Sequence, residues 1–125
     1  MKLVMQTKQW SCVHACIATL KDIPEQEVID KFPRAANNLM VRIMLAHYQI
    51  PVLDVNPALF LYIPGTFLLG IDVGDDTRHA VLVDIRKGEG IDVYDPLAGE
   101  QLNLQTAPAL GNISEALWII PHQVT

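Results

Sequence analysis

Two cysteines are all that the 125 residues contain, and they stand four apart, at Cys12 and Cys16. On a helix such a pair occupies successive turns of one face, where closing a disulfide would strain the bridge. A disulfide framework is excluded, and a reduced, cytoplasmic setting is expected. Positive charge is also sparse. Nine lysines and arginines lie scattered between Lys2 and Lys87, against fourteen acids, for a formal net charge of −5. Nucleic acid and anionic membranes both require a concentrated basic face, so neither is expected as a partner. The most apolar stretch, PALFLYIPGTFLLGI at 57–71, is interrupted by Pro64 and Gly65. It is too short and too broken to span a bilayer. The opening MKLVMQTKQW lacks the sustained apolar core of a secretory signal. There is no internal repeat, linker or low-complexity tract.

Half of the residues are hydrophobic and 18% are charged. That composition predicts one packed domain over 1–125, burying roughly two-thirds of its unfolded surface. The first half reads as helical. Ser11 stands as an N-cap before residues 12–21, where Val13, Cys16, Ile17 and Leu20 recur at helical spacing. Pro24, as a first helical residue, opens a short second helix that stops before Pro33. Asn37 or Asn38 caps a third over about 39–48, with Leu39, Ile43 and Leu45 as its apolar stripe. From residue 51 the period changes. PVLDV, TFLLGIDV, HAVLVDI, GIDVYD and ALWIIP read as strands, separated by GDDTR, KGEG and DPLAGE. NLQTAPALGNIS, before the last strand, reads as loop. Helices first and strands afterwards predict an α+β domain, its helices packed on one face of an antiparallel sheet.

Cys12 follows the expected cap directly. A thiolate is the reactive form of cysteine, and the unpaired N–H groups of a helix start favour it. Cys16 lies a turn deeper and is expected to be buried. A thiol nucleophile also requires a base, a group that orients the base, and donors for an oxyanion. Of four histidines, His14 would point away from Cys12 on a helix, His47 ends the third helix, and His122 follows the last strand as a solvated terminal residue. His79 opens the strand HAVLVDI. Asp95 closes GIDVYD sixteen residues later, immediately before Pro96. A hairpin through KGEG would bring the rim ends of these strands together, within reach of a bond that fixes the imidazole tautomer. Gln6 or the nearer Gln9 could offer a side-chain N–H alongside the backbone N–H of Cys12. Trp10 would line a subsite or pack.

Taken together, these segments resemble the double-glycine peptidases that process bacteriocin leaders, and the papain-like domains related to them. The likeness rests on QTKQWSCVHAC, with Gln6, Cys12, Ala15 and Cys16, and on HAVLVDIRKGEGIDVYDP, with His79 and Asp95. It implies a papain-like cysteine peptidase fold, a catalytic set of Cys12, His79, Asp95 and Gln6, a peptide or protein substrate, and no cofactor or metal. Where that family commonly has Asp-Cys-Gly, this chain has Ser11-Cys12-Val13. Its best-known members are fused to exporters, so the double-glycine substrate is not carried over with the fold. The rims of the cleft are expected at IPGTF (63–67) and DPLAGE (95–100).

Three alternatives accompany the peptidase. A deamidase or acyltransferase would use the same thioester chemistry, which does not specify the acceptor. A catalytically silent module would bind peptide without needing Cys, His and Asp together. A zinc site from Cys12, Cys16 and histidines would have poor ligand spacing, lacking a second well-spaced pair. The sequence assigns no oligomeric state.

Overall fold

A computed structural model describes residues 1–72, 78–87, 90–97 and 112–121, together with the backbone of 101–103. Three helices come first: α1 (Cys12–Lys21), α2 (Glu25–Lys31) and α3 (Asn38–His47). Six strands follow among the described residues: β1 (Val52–Val55), β2 (Gly65–Asp72), β3 (Arg78–Arg86), β4 (Gly90–Tyr94), β5 (Gln101–Asn103) and β6 (Ile113–Ile119). They form one antiparallel sheet in the order β1-β6-β2-β3-β4-β5. This is the expected α+β architecture. The 101–103 strand stands between the expected DPLAGE separator and the NLQTAPALGNIS loop, where the sequence predicts no strand, because QLN is too short to show a period.

α1 is buried along most of its length, from Cys12 to Thr19. Ala15, Cys16 and Ala18 are small enough to let the helix backbone approach the sheet closely, and the Cys16 thiol donates to the Ala80 carbonyl of β3 (3.7 Å). Asp22, in the left-handed region at φ 55°, ends the helix, and Pro24 lies two residues beyond. Ser11 occupies the N-cap position without using its side chain as a cap. Its hydroxyl lies instead 2.9 Å from the carboxylate of Glu25 and accepts the Lys8 N–H at 3.1 Å. Pro24 is the N-cap of α2 rather than its first residue.

α3 corrects the expected stripe. Leu39 and Ile43 are 70% and 46% exposed, whereas Met44 and Leu45 are buried. The inward face runs through Met40, Val41, Met44 and Leu45, at i, i+1, i+4 and i+5. Leu45 does not share a helical face with Leu39 and Ile43, and the two methionines supply the apolar area that those residues do not. The Asn37 side chain caps the helix by accepting the Met40 N–H at 2.7 Å. Asn37→Ala is expected to cost about 1 kcal/mol in urea unfolding, with no change in the slope.

The sheet is buried on both faces. Leu68, Ala80, Leu82, Tyr94 and Leu117 pack with Ile17, Val28, Met44 and Leu45 on the helix side. The alternating positions Phe67, Leu69, Val81, Val83, Val93 and Ala116 pack on the far side with Phe60, from the β1–β2 connection. This explains why β2 and β3 read as continuous apolar runs rather than alternating ones.

The β3–β4 register, Leu82 opposite Tyr94 and Arg86 opposite Gly90, sets the start of β3 beside the end of β4. The central residues of the turns GDDTR and KGEG lie outside the described residues. Gly65 pairs with Ile85 and Ile71 with His79, so IPGTF stands at the opposite end of the sheet from His79. That segment is not a rim of the site, contrary to the sequence expectation.

Candidate active site

The rim shared by β3, β4 and the start of α1 gathers three side chains far apart in sequence. His79 Nε2 lies 2.7 Å from Asp95 Oδ1, and the two side chains are 14% and 20% exposed. Asp95 Oδ1 also accepts the Leu97 N–H at 2.9 Å, which orients the carboxylate. The Cys12 side chain, in a residue 8% exposed, lines a pocket together with the same imidazole and interacts with it. With Nε2 engaged by Asp95, Nδ1 is the ring nitrogen left for the thiol. Burial alone would lower the His79 pKa. The hydrogen bonds and charges of Asp95 and Cys12 outweigh it and raise the pKa to about 9.

Gln6 lies in the segment that leads into α1. Its backbone N–H donates to the Pro96 carbonyl (3.0 Å), tying the N-terminal segment to the loop that carries Asp95. Its side-chain Nε2 donates to the Lys8 carbonyl at 2.9 Å and makes only a long contact, 3.5 Å, to that of Gln9. The carboxamide is thereby held under the turn that leads into α1. Gln9 has an exposed side chain on the cleft wall. The Cys12 amide, at the start of α1, has no hydrogen-bond partner among the described residues.

A cleft of about 760 Å³ runs past Cys12 between Gln9 and Trp10 on one side and Asn38 and Arg78 on the other. A narrower pocket of about 70 Å³ opens beside Cys12 and His79, with Leu68, Gly70 and Glu115 in its wall. Arg78, which sequence reasoning passed over, lines both spaces and donates to Asn38 Oδ1 at 2.6 Å. Its only sequence signal is adjacency to His79. Glu25 was also missed, since an acid in the first turn of a helix reads as an ordinary dipole partner. Pro96 and Leu97 flank the site, while residues 98–100 of the expected DPLAGE rim lie outside the described residues.

The remaining histidines have other surroundings. His14 is fully buried, with Nε2 2.7 Å from the Phe32 carbonyl and its ring edge-on to Trp10 at 5.2 Å. Burial lowers its pKa against the opposing pull of the Phe32 bond and of Glu25, favouring the neutral ring with Nε2–H as donor. Trp10 therefore both packs and lines the cleft. His47 is exposed, edge-on to Phe32 and Tyr48. His122 lies outside the described residues. Burial, then the neighbouring Cys12 and Asp95, push the Cys16 thiol well above its ordinary range, and its sulfur faces Ala80. Among the described residues, no three His, Cys, Asp or Glu side chains are grouped to hold a metal ion. No described helix is long and apolar enough to cross a membrane.

The chain matches no family model and no curated protein. Solved structures do match it. A double-glycine-motif protease from an AMS/PCAT transporter, crystallised with the leader peptide, superimposes with a TM-score of 0.69 at 16% identity, covering 94% of this chain and 89% of that one. The peptidase domain of Streptococcus ComA, a bifunctional ABC transporter of a quorum-sensing pathway, gives 0.73 at 12% identity, covering 97% and 98%. At such low identity the likeness is one of fold, and it extends over nearly the whole chain: this protein has the papain-like α+β fold of the double-glycine peptidase domains.

Proposed function

We propose that the protein is a cysteine peptidase, or a closely related amide hydrolase, acting on a peptide or protein substrate. The observation that carries this reading is the 2.7 Å contact between His79 and Asp95, set against the sulfur at the mouth of α1. His79 takes the Cys12 proton, and the thiolate adds to the scissile carbonyl carbon. The carbonyl oxygen becomes an oxyanion, met by the Cys12 N–H and by the Gln6 N–H that has only the long contact to Gln9. The imidazolium then protonates the leaving amine, which departs as the thioester forms. Water, deprotonated by the same imidazole, releases the acid and restores the thiol. Asp95 holds the ring in one orientation and stabilises its charge. The 70 Å³ pocket beside Cys12 suits a small side chain next to the scissile bond. That agrees with the motif for which the transporter protease is named, although Val13 stands where the double-glycine family has glycine. A deamidase or acyltransferase would differ only in what accepts the acyl group.

The test begins with iodoacetamide, which needs the thiolate but no oxyanion. Below about pH 9, His79 keeps its proton, and a positive ring beside the sulfur favours the form that iodoacetamide needs. Native Cys12 is expected to alkylate faster than in His79→Ala throughout that window. The difference should narrow as pH rises through about 9, where His79 loses its proton. Equal rates in both proteins at neutral pH would favour the silent binding module. Mass spectrometry of a thioester trapped from a peptide library then identifies the acyl fragment.

A further inference from the structure

Glu25 opens α2 but does not face solvent as a first-turn acid ordinarily does. It is 5% exposed, and its side-chain hydrogen bonds go to the segment that leads into α1. Its two oxygens accept the Thr7 N–H at 3.2 and 3.0 Å, the Thr7 hydroxyl at 2.6 Å and the Ser11 hydroxyl at 2.9 Å. Each of these donors is neutral, and no described cation pairs with it. A carboxylate buried without a counter-charge is weak evidence of net stabilisation, because its desolvation offsets much of what the bonds contribute. What such an arrangement does fix is geometry.

Thr7 directly follows Gln6, and Ser11 directly precedes Cys12. One carboxylate therefore grips the immediate neighbours of both groups assigned to the oxyanion. Elsewhere the segment is tied by the Val4 N–H to Thr19 Oγ1 (2.9 Å) and by the Gln6 N–H to the Pro96 carbonyl (3.0 Å). Within the segment, Lys8 bonds Ser11 (3.1 Å) and its carbonyl accepts the Gln6 side-chain N–H (2.9 Å), and Glu25 adds from a second helix a tie shared by Thr7 and Ser11.

We propose that Glu25 is a positioning residue that sets the separation between the Gln6 side-chain N–H and the Cys12 backbone N–H. This rests on the thiol-hydrolase reading above. Misplacement of a donor by about 1 Å costs on the order of 10²-fold in rate, so a tie shared by the neighbours of both donors has a kinetic signature. Glu25 touches neither substrate nor sulfur and acts only through residues 7 and 11.

Two small probes separate this role from general loosening of the site. With the p-nitrophenyl ester of N-acetylglycine, Cys12 sulfur bonds to the carbonyl carbon and an electron pair moves onto oxygen. The pair then returns, expelling p-nitrophenolate and leaving a thioester. Iodoacetamide reacts by direct displacement of iodide, and no oxyanion forms. Glu25→Ala is expected to slow the p-nitrophenolate burst by about 10²-fold, and Glu25→Gln, which keeps the size and one acceptor oxygen, by about 10-fold. Both should alkylate at rates within about 2-fold of wild type. In Gln6→Ala, adding Glu25→Ala should cost far less than it does alone, since the donor it places is already gone. Unchanged bursts in both Glu25 variants would overturn the proposal. So would bursts and alkylation falling in equal proportion. If Glu25→Ala does not fold, Glu25→Gln decides by the same two rates. Wild-type protein with neither a burst nor His79-dependent alkylation would instead remove the hydrolase reading itself, and the role of Glu25 with it.

Discussion

Replacing His79 with alanine is expected to slow acylation of Cys12 by at least about 10³-fold, as measured by the burst from an activated ester. Cys12→Ala should abolish the burst. In the proposed mechanism the effect is large because His79 generates the attacking thiolate. It accepts the thiol proton before attack; p-nitrophenolate then leaves without a proton, so an amide substrate, whose amine must be protonated by the same ring, should lose still more. In that mechanism Asp95 does not take over the role, since its oxygen meets Nε2 and leaves Nδ1 for the thiol. Asp95→Asn should therefore give an intermediate loss, because an amide still orients the ring while failing to stabilise the imidazolium. The double variant His79→Ala/Asp95→Asn should be little worse than His79→Ala alone, since residues acting as one unit do not contribute additively.

A stability measurement reads the same contact independently of turnover. The folded pKa of His79 is about 9, above the ordinary 6.5 of an unfolded chain, so the folded state binds this proton more tightly. The resulting stabilisation is fully present below about pH 6.5 and is lost as pH rises through about 9. Wild-type melting temperature should decline across that window relative to His79→Ala. A flat difference between the two proteins would mean that the imidazolium is not held by Asp95 and Cys12.

The parts legible in the sequence were those in which a local pattern has one spatial solution. The apolar spacing from Val13 to Leu20 admits a helix and little else, and Pro24 limits how far it can run; the left-handed Asp22 ends it just short of that proline. HAVLVDI and GIDVYD, joined by a short turn, can hardly avoid forming a hairpin. Once they do, the start of one stands near the end of the other, and Asp95, just past Tyr94, comes within side-chain reach of His79. Other features have no local signal. The faces of α3 depend on what lies beneath it, so an exposed Leu39 and a buried Met44 cannot be told apart by hydrophobicity. The position of β6 between β1 and β2 is a long-range pairing that no turn residue encodes. Glu25 is the clearest case: its partners are 14 and 18 residues away, and they are a serine and a threonine, among the commonest of polar residues.

The stability of this rim also depends on the core on the far side of the sheet. Phe67→Ala is expected to destabilise the fold by about 3–5 kcal/mol, a large share of the roughly 5–15 kcal/mol available to a domain of this kind. Phe67 is fully buried at the centre of the sheet, opposite Val83 on β3 and Trp118 on β6, with its ring 5.7 Å from that of Phe60. Removing it leaves a cavity that β2, pinned between two neighbours, cannot close by moving. The melting temperature should fall by about 10 °C or more, whereas Leu39→Ala, at a position 70% exposed, should change stability by less than about 0.5 kcal/mol. The site gives the second half of the prediction. Phe67 lies four residues from Ile71, which pairs with His79, so the far core fixes the strand beside the one on which the imidazole stands. Below its lowered melting point, Phe67→Ala should still show faster alkylation of Cys12 than the matching His79→Ala double variant, because the contact between His79 and Asp95 is made at the rim and not through the cavity. Loss of that difference in folded protein would mean that far-side packing sets the geometry of the site directly.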